Sequence, residues 1–197
     1  MSDPLRYSGC NAQTQHAVLV AFLRDEPVVM EILAGIVELG LPDAWLVSGT
    51  IYNLVWNRLS DLSPLTGIKD ADIAYFDAGD LTYEAEDVAI RRAAARFAHL
   101  PLPVELRNQA RVHLWFPQKF NQPFSPLGSA VESLERYASQ THAVAARLES
   151  DDTITIAAPF GLDDIFSFRV APNHALMGNA PTHLAKAIWP QVTIIPW

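Results

Sequence analysis

The chain has 197 residues, half of them apolar and a tenth aromatic, with a formal net charge of −8. That is enough apolar material for one sizeable core and too much for a disordered chain. No apolar run approaches the ~20 residues that span a bilayer, and the acidic balance without a Lys/Arg tract disfavours binding to duplex nucleic acid.

The single cysteine, Cys10, excludes an internal disulfide and fits a reducing compartment. "MSDPLRYSGC" lacks a basic segment followed by an apolar one, so no secretion signal is read and a cytoplasmic location is expected.

Residues 13–40 show apolar positions at helical spacing in two blocks that break at Asp25–Pro27, where proline suits a first helical turn. Gly40 and Pro42 close this helical pair, "AWLVS" reads as a short buried strand, and "TIYNLVWNRL" as a helix beginning directly after Gly49. A turn-rich loop with Pro64 and Gly67 leads to the strand "ADIAYF". "LTYEAEDVAIRRAAARFAH" is the most helical stretch, with acids at its start and bases at its end.

"PVELRN" follows as a third strand, "QARVHLWF" as a short helix and "PQKFNQPFSPLG" as a loop. Ser129 and Glu132 form a capping box for a helix to about Gln140. "AVAARLESDDTITIAA" reads as a hairpin turning at Asp151–Asp152, "FGLDDIFSFRV" as a last long helix, and "THLAKAIW" as a short helix in a proline-rich tail. The economical organisation is one mixed α+β domain: helices over about 13–40, a core over about 41–170 and a tail over 171–197.

Two patterns carry chemistry. A strand that ends at Gly49 and feeds a helix puts free N–H groups where a phosphate can approach, although a tight turn needs glycine for structural reasons too. In "DAD", period two sends Asp70 and Asp72 to one face, where they repel unless a cation joins them, and Mg²⁺ is the natural occupant. The alternative is a solvated strand end.

Gly49-Thr50 and Asp70-Ala71-Asp72 together resemble the G-[GS]…D-x-D signature of the polymerase-β-type nucleotidyltransferase superfamily. More closely, "LPDAWLVSGTIYNLVW", "DADIAYFD", "VELRNQARVHLW", "APFGLDDIFSFRV" and "WPQVTIIPW" resemble, in order, a small bacterial nucleotidyltransferase family, formerly a domain of unknown function. The resemblance runs from about Leu41 over nearly the whole remaining chain. It implies a polymerase-β-like palm, a mixed sheet flanked by helices. It also implies transfer of a nucleoside monophosphate from an NTP, with two Mg²⁺ ions, to a small-molecule or protein acceptor. A catalytically inactive nucleotide-binding or regulatory module of the same fold is the alternative.

On that resemblance Asp70, Asp72 and Glu105 would be the catalytic, metal-binding carboxylates. Ser48, Gly49 and Thr50 would cradle phosphates, and Arg107 or Arg111 would neutralise their charge or else serve in ion pairs. Tyr52 stands where many superfamily members carry arginine. Asn108, Gln109 and His113 line a pocket or cap the short helix, with His113 read as a satisfied structural partner. Asp163 and Asp164 are helix caps or groups near the metal, and Trp45, Trp56 and Trp115 are read as core. A nucleic-acid partner is not expected, no membrane partner is read, and the oligomeric state is open.

Overall fold

The computed structural model describes residues 3–174 and 188–196. The N-terminal pair forms as its spacing predicts. Helix α1 (Ala12–Arg24) starts where the Asn11 side chain accepts from the Thr14 N–H. Helix α2 (Pro27–Leu39) starts with proline in its first turn and stops at Gly40, whose φ of 62° is the left-handed conformation that suits glycine. Among the described residues no helix is long and apolar enough to cross a membrane.

Strand β1 (Trp45–Val47) runs into helix α3 (Gly49–Leu59), and β2 (Ala71–Tyr75) is followed by α4 (Tyr83–Phe97) and β3 (Val104–Asn108). Strands β4 (Ala145–Leu148) and β5 (Ile154–Ala157) form the expected hairpin. The five strands make one mixed sheet in the order β3-β2-β1-β4-β5, in which only β2 and β3 pair in parallel.

Alternation along β2 sorts the sheet into two faces. Ala71, Ile73 and Tyr75 join the main core with α1 to α4. Ala74 faces a smaller cluster with Trp45, Val47 and Leu134, so Asp72, two positions away, shares that second face.

Three expected helices are shortened or extended. The helix read over residues 129–140 is only a 3-10 stretch, Val131–Arg136, ending where Tyr137 becomes extended. Half of its capping box forms: Ser129 Oγ accepts from the Glu132 N–H, but the Glu132 carboxylate takes the Gly128 N–H instead of that of Ser129.

The last helix is a single turn, α6 (Asp163–Phe166), because Phe168 turns left-handed at φ 52°. Arg169 then folds back onto Asp163 and Asp164. The chain continues as β6 (Arg169–Val170), which pairs in parallel with β7 (Thr193–Ile194). Conversely, α5 (Val112–Phe120) runs through Pro117 into the expected loop and ends at left-handed Asn121.

Trp115 on α5 is not core: it is half-exposed against Phe116 and Phe120, whereas Trp45 and Trp56 are buried. The helix expected at "THLAKAIW" lies mostly outside the described residues. Trp189 and Val192, in the expected tail, belong to the main core.

Candidate active site

At the β1–α3 junction the left-handed residue is Ser48, with φ 59° and ψ −114°, a region sparsely populated by non-glycine residues. Its N–H donates to the Val144 carbonyl at 2.8 Å, and its side chain makes no capping bond. The first two N–H groups of α3, those of Gly49 and Thr50, therefore lie uncapped by the Ser48 side chain at a cleft that Ser48 and Gly49 line, while the Ile51 N–H already donates to the Ser48 carbonyl at 3.0 Å.

Gly49 is not the residue that makes the tight turn. Among the described residues, a Cβ built there would meet only Asn53 Nδ2, at 3.9 Å. The fold itself leaves room for a side chain, and the absence of one keeps the cleft open beside those N–H groups.

The carboxylates arrive from the next strand. Asp72 lies opposite Val47 of β1 on one side and Glu105 of β3 on the other. Burial pushes the Asp72 carboxyl up to about 6, the negative charges of Asp70 and Glu105 add to the rise, and Arg107 opposes it.

The cleft has a volume of about 500 Å³. Besides the residues above, Tyr52, Asn53, Lys69, His142 and Trp189 line it. Burial foremost, then the nearby Asp72 and Asp70, pushes the Tyr52 hydroxyl up to about 12. His142 stacks flat on the Tyr52 ring at 4.7 Å, and its burial pushes the imidazole down to about 4, so it is neutral at pH 7.

A family model described as nucleotidyltransferase matches residues 34–194. The chain belongs to this nucleotidyltransferase family. Family membership supports nucleotidyl transfer as the general role of the chain. One similar solved structure, an NMR structure described as revealing a CCA-adding enzyme head domain, superposes with a TM-score of 0.76 at 26% identity. The match covers 90% of this chain and 94% of the other. The mixed sheet with its flanking helices is thus the nucleotidyltransferase palm that the sequence predicts. No match is found among curated proteins.

The nucleotidyltransferase departs from the expected site at three side chains. Thr50 is 1% exposed, and its hydroxyl donates to the Asp70 carbonyl at 3.1 Å. It ties α3 to the start of β2, and its hydroxyl is not offered to a phosphate. Arg111 is committed to the Glu86 carboxylate and, at 2.9 Å, to the Leu81 carbonyl. It follows the far end of β3, away from Asp70 and Glu105, because β2 and β3 run in parallel.

Glu105 shares a face with Asp72 as expected, but it pairs with Arg107 at 3.6 Å, and both side chains are more than half exposed. Among the described residues no three His, Cys, Asp or Glu side chains are grouped to hold a metal ion. The donors the structure assembles are the pair Asp70 and Asp72, two hard oxygen ligands of the kind that suits Mg²⁺.

The remaining candidates are structural. Asn108 caps the turn of residues 109–111 and holds both backbone groups of Asp77. Asp163 accepts from the Gly9 N–H, Gln15 and Arg169. His113 is less satisfied than expected, since its buried Nδ1 has no hydrogen-bond partner among the described residues.

Sequence patterns passed over Lys69, Asn53 and His142. Lys69 was legible as the neighbour of Asp70, and Asn53 lies four positions from Gly49 on one helical face. His142 had no local signal, because a distant segment brings it to Tyr52.

Proposed function

We propose that the cleft binds a nucleoside triphosphate with its phosphates at Ser48, Gly49 and the first N–H groups of α3, with Mg²⁺ held by Asp70 and Asp72. The nucleoside monophosphate passes to a nucleophilic group of a small-molecule or protein acceptor, the bond to the β-phosphate breaks, and pyrophosphate leaves. The observation that carries this reading is Gly49, a glycine that the fold does not need, placed where uncapped N–H groups meet the cleft.

When bound, Mg²⁺ supplies positive charge between the carboxylates and the triphosphate oxygens, where charge moves during transfer. The chain's own residues fix the geometry. Ser48 is anchored to Val144, the Thr50 hydroxyl ties the phosphate-binding turn to the Asp70 backbone, and the shared face of β2 aims Asp72 at the same space. The net charge of −8 and the commitment of Arg107 and Arg111 to acids favour an acceptor other than a polynucleotide.

The test is calorimetric titration of ATP, CTP, GTP and UTP with Mg²⁺ into wild type and Gly49→Ala. The alanine variant is expected to keep its folding stability, or gain about 0.5–1 kcal/mol from the better helix former. Nucleotide binding should weaken about 10–100-fold as the methyl group crowds the phosphate site. Equal affinity in the two proteins sinks the phosphate assignment, and nucleotide binding indifferent to Mg²⁺ favours the regulatory-module reading.

A pH series supplies a second check. Because the Asp72 carboxyl titrates near 6, a proton competes with Mg²⁺ below that value and not above it. Mg²⁺ affinity should be flat from pH 7 to 8 and fall about tenfold per unit below pH 6. A plateau that extends down to pH 5 rules out Asp72 as a ligand.

A further inference from the structure

We propose that Lys69 is the cation that meets the phosphates in this cleft. The inference rests on the nucleotidyl-transfer reading and names a residue for a task that Arg107 and Arg111 do not perform.

The argument begins with charge. Asp70 and Asp72 already make the cleft negative, and a triphosphate makes it more so. The neighbouring arginines do not supply it: Arg111 is spent on Glu86 and Arg169 on Asp163 and Asp164, and Arg107, loosely paired with Glu105 at 3.6 Å, does not line the cleft. His142 is neutral at working pH. Among the described residues that line the cleft, Lys69 alone is a Lys or Arg, and no described residue pairs with it.

The backbone that carries Lys69 is fixed on both sides. Asn57 Nδ2 donates to the Pro64 and Thr66 carbonyls, each at 2.8 Å. Gly67 has φ +72°, and a Cβ there would lie 2.5 Å from Ile188 Cδ1 and 3.1 Å from the Trp189 ring, so the loop is seated closely on that segment. One residue beyond Lys69, the Asp70 carbonyl takes the Thr50 hydroxyl. A lysine on such a base combines a placed stem with a mobile point charge. That suits a phosphate chain whose charge shifts when its terminal part departs.

The experiment titrates wild type, Lys69→Gln, Lys69→Arg and Asp70→Asn with the four nucleotides plus Mg²⁺, and with inorganic tripolyphosphate, at low and moderate salt. Lys69→Gln is expected to weaken nucleotide and tripolyphosphate binding about 10–100-fold and to flatten the salt dependence. Lys69→Arg should restore most of the loss. The ligand-free unfolding midpoint and the binding of the unphosphorylated nucleoside should not move.

If Lys69→Gln binds nucleotide like wild type while Asp70→Asn does not, the Lys69 role is wrong and the transfer reading stands. If the Lys69→Gln loss extends to the nucleoside or to the unfolding midpoint, the residue is structural and the proposal fails. If wild type binds none of the four nucleotides, both readings fall together.

Discussion

Asp72→Asn should make the protein more stable at neutral pH while removing Mg²⁺-dependent nucleotide binding. The Asp72 carboxyl titrates near 6 in the folded chain, because of burial and the charges of Asp70 and Glu105, and near 4 in an unfolded one. Between those values the folded state keeps a proton that the unfolded state has released. Stability therefore falls as pH rises through the window from 4 to 6 and stays lowered above it. About two units correspond to an upper bound of about 3 kcal/mol, and solvent screening at a half-buried carboxylate reduces this to about 1–2 kcal/mol.

Asparagine keeps the shape and removes the charge. Thermal melts should show Asp72→Asn higher than wild type by about 3–6 °C at pH 7.5 and level with it at pH 4. Nucleotide binding in Mg²⁺ should drop on the order of 100-fold or more, since one of the two carboxylates proposed to hold the ion is gone. An Asp72→Asn melt no higher than wild type at pH 7.5 would show that the acids do not strain one another. Binding retained within threefold would remove Asp72 from the site. The same substitution moving stability up and binding down is the signature of a residue kept for chemistry at the expense of the fold.

The second large effect lies one layer behind the site. Asn57 is 0% exposed. Its Nδ2 holds the Pro64 and Thr66 carbonyls, and its Oδ1 accepts from Trp189 Nε1 at 2.8 Å. One side chain thus joins α3, the loop that leads to Lys69 and Asp70, and the C-terminal segment. Asn57→Ala leaves a buried indole N–H and two carbonyls without partners, each worth about 1–3 kcal/mol when orphaned.

Allowing for relaxation, the expected loss is about 3–5 kcal/mol, or about 10 °C in unfolding midpoint for a chain of this length. Trp189→Phe, which removes the indole donor and part of the buried ring, should lose about 2–3 kcal/mol, by orphaning Asn57 Oδ1 and by leaving a small cavity. Denaturant melts of the two variants separate these contributions. A loss below 1 kcal/mol in Asn57→Ala would mean that the loop is held by its own turns and not by this hub.

What the sequence by itself determined was every long element and the pairing of two motifs. Helical spacing, Pro27 and Gly40 delimited α1 and α2, and the acid-to-base polarity of "YEAEDVAIRRAAARF" marked α4. Alternation in "DADIAYF" put Asp72 on the face away from Ala71, and the structure shows that Ala71 faces the main core. These signals are local, so a single sequence carries them.

Tertiary structure decided which polar groups were free. Thr50, Glu105, Arg107 and Arg111 had suitable chemistry, but all four have partners that neither period nor spacing reveals: Asp70 for Thr50, Glu86 for Arg111, and each other for Glu105 and Arg107. The shortened helices ended for a similar reason. "FGLDDIFSFRV" has helical composition, yet the chain turns left-handed at Phe168, Arg169 folds back onto Asp163 and Asp164, and the strand that follows pairs with β7. His142 reached the cleft only because a distant 3-10 turn stacks it on Tyr52. Propensity and period are properties of neighbours in the chain. Whether a charge is paired, and whether a glycine is needed by the fold or by the cleft, depends on neighbours in space.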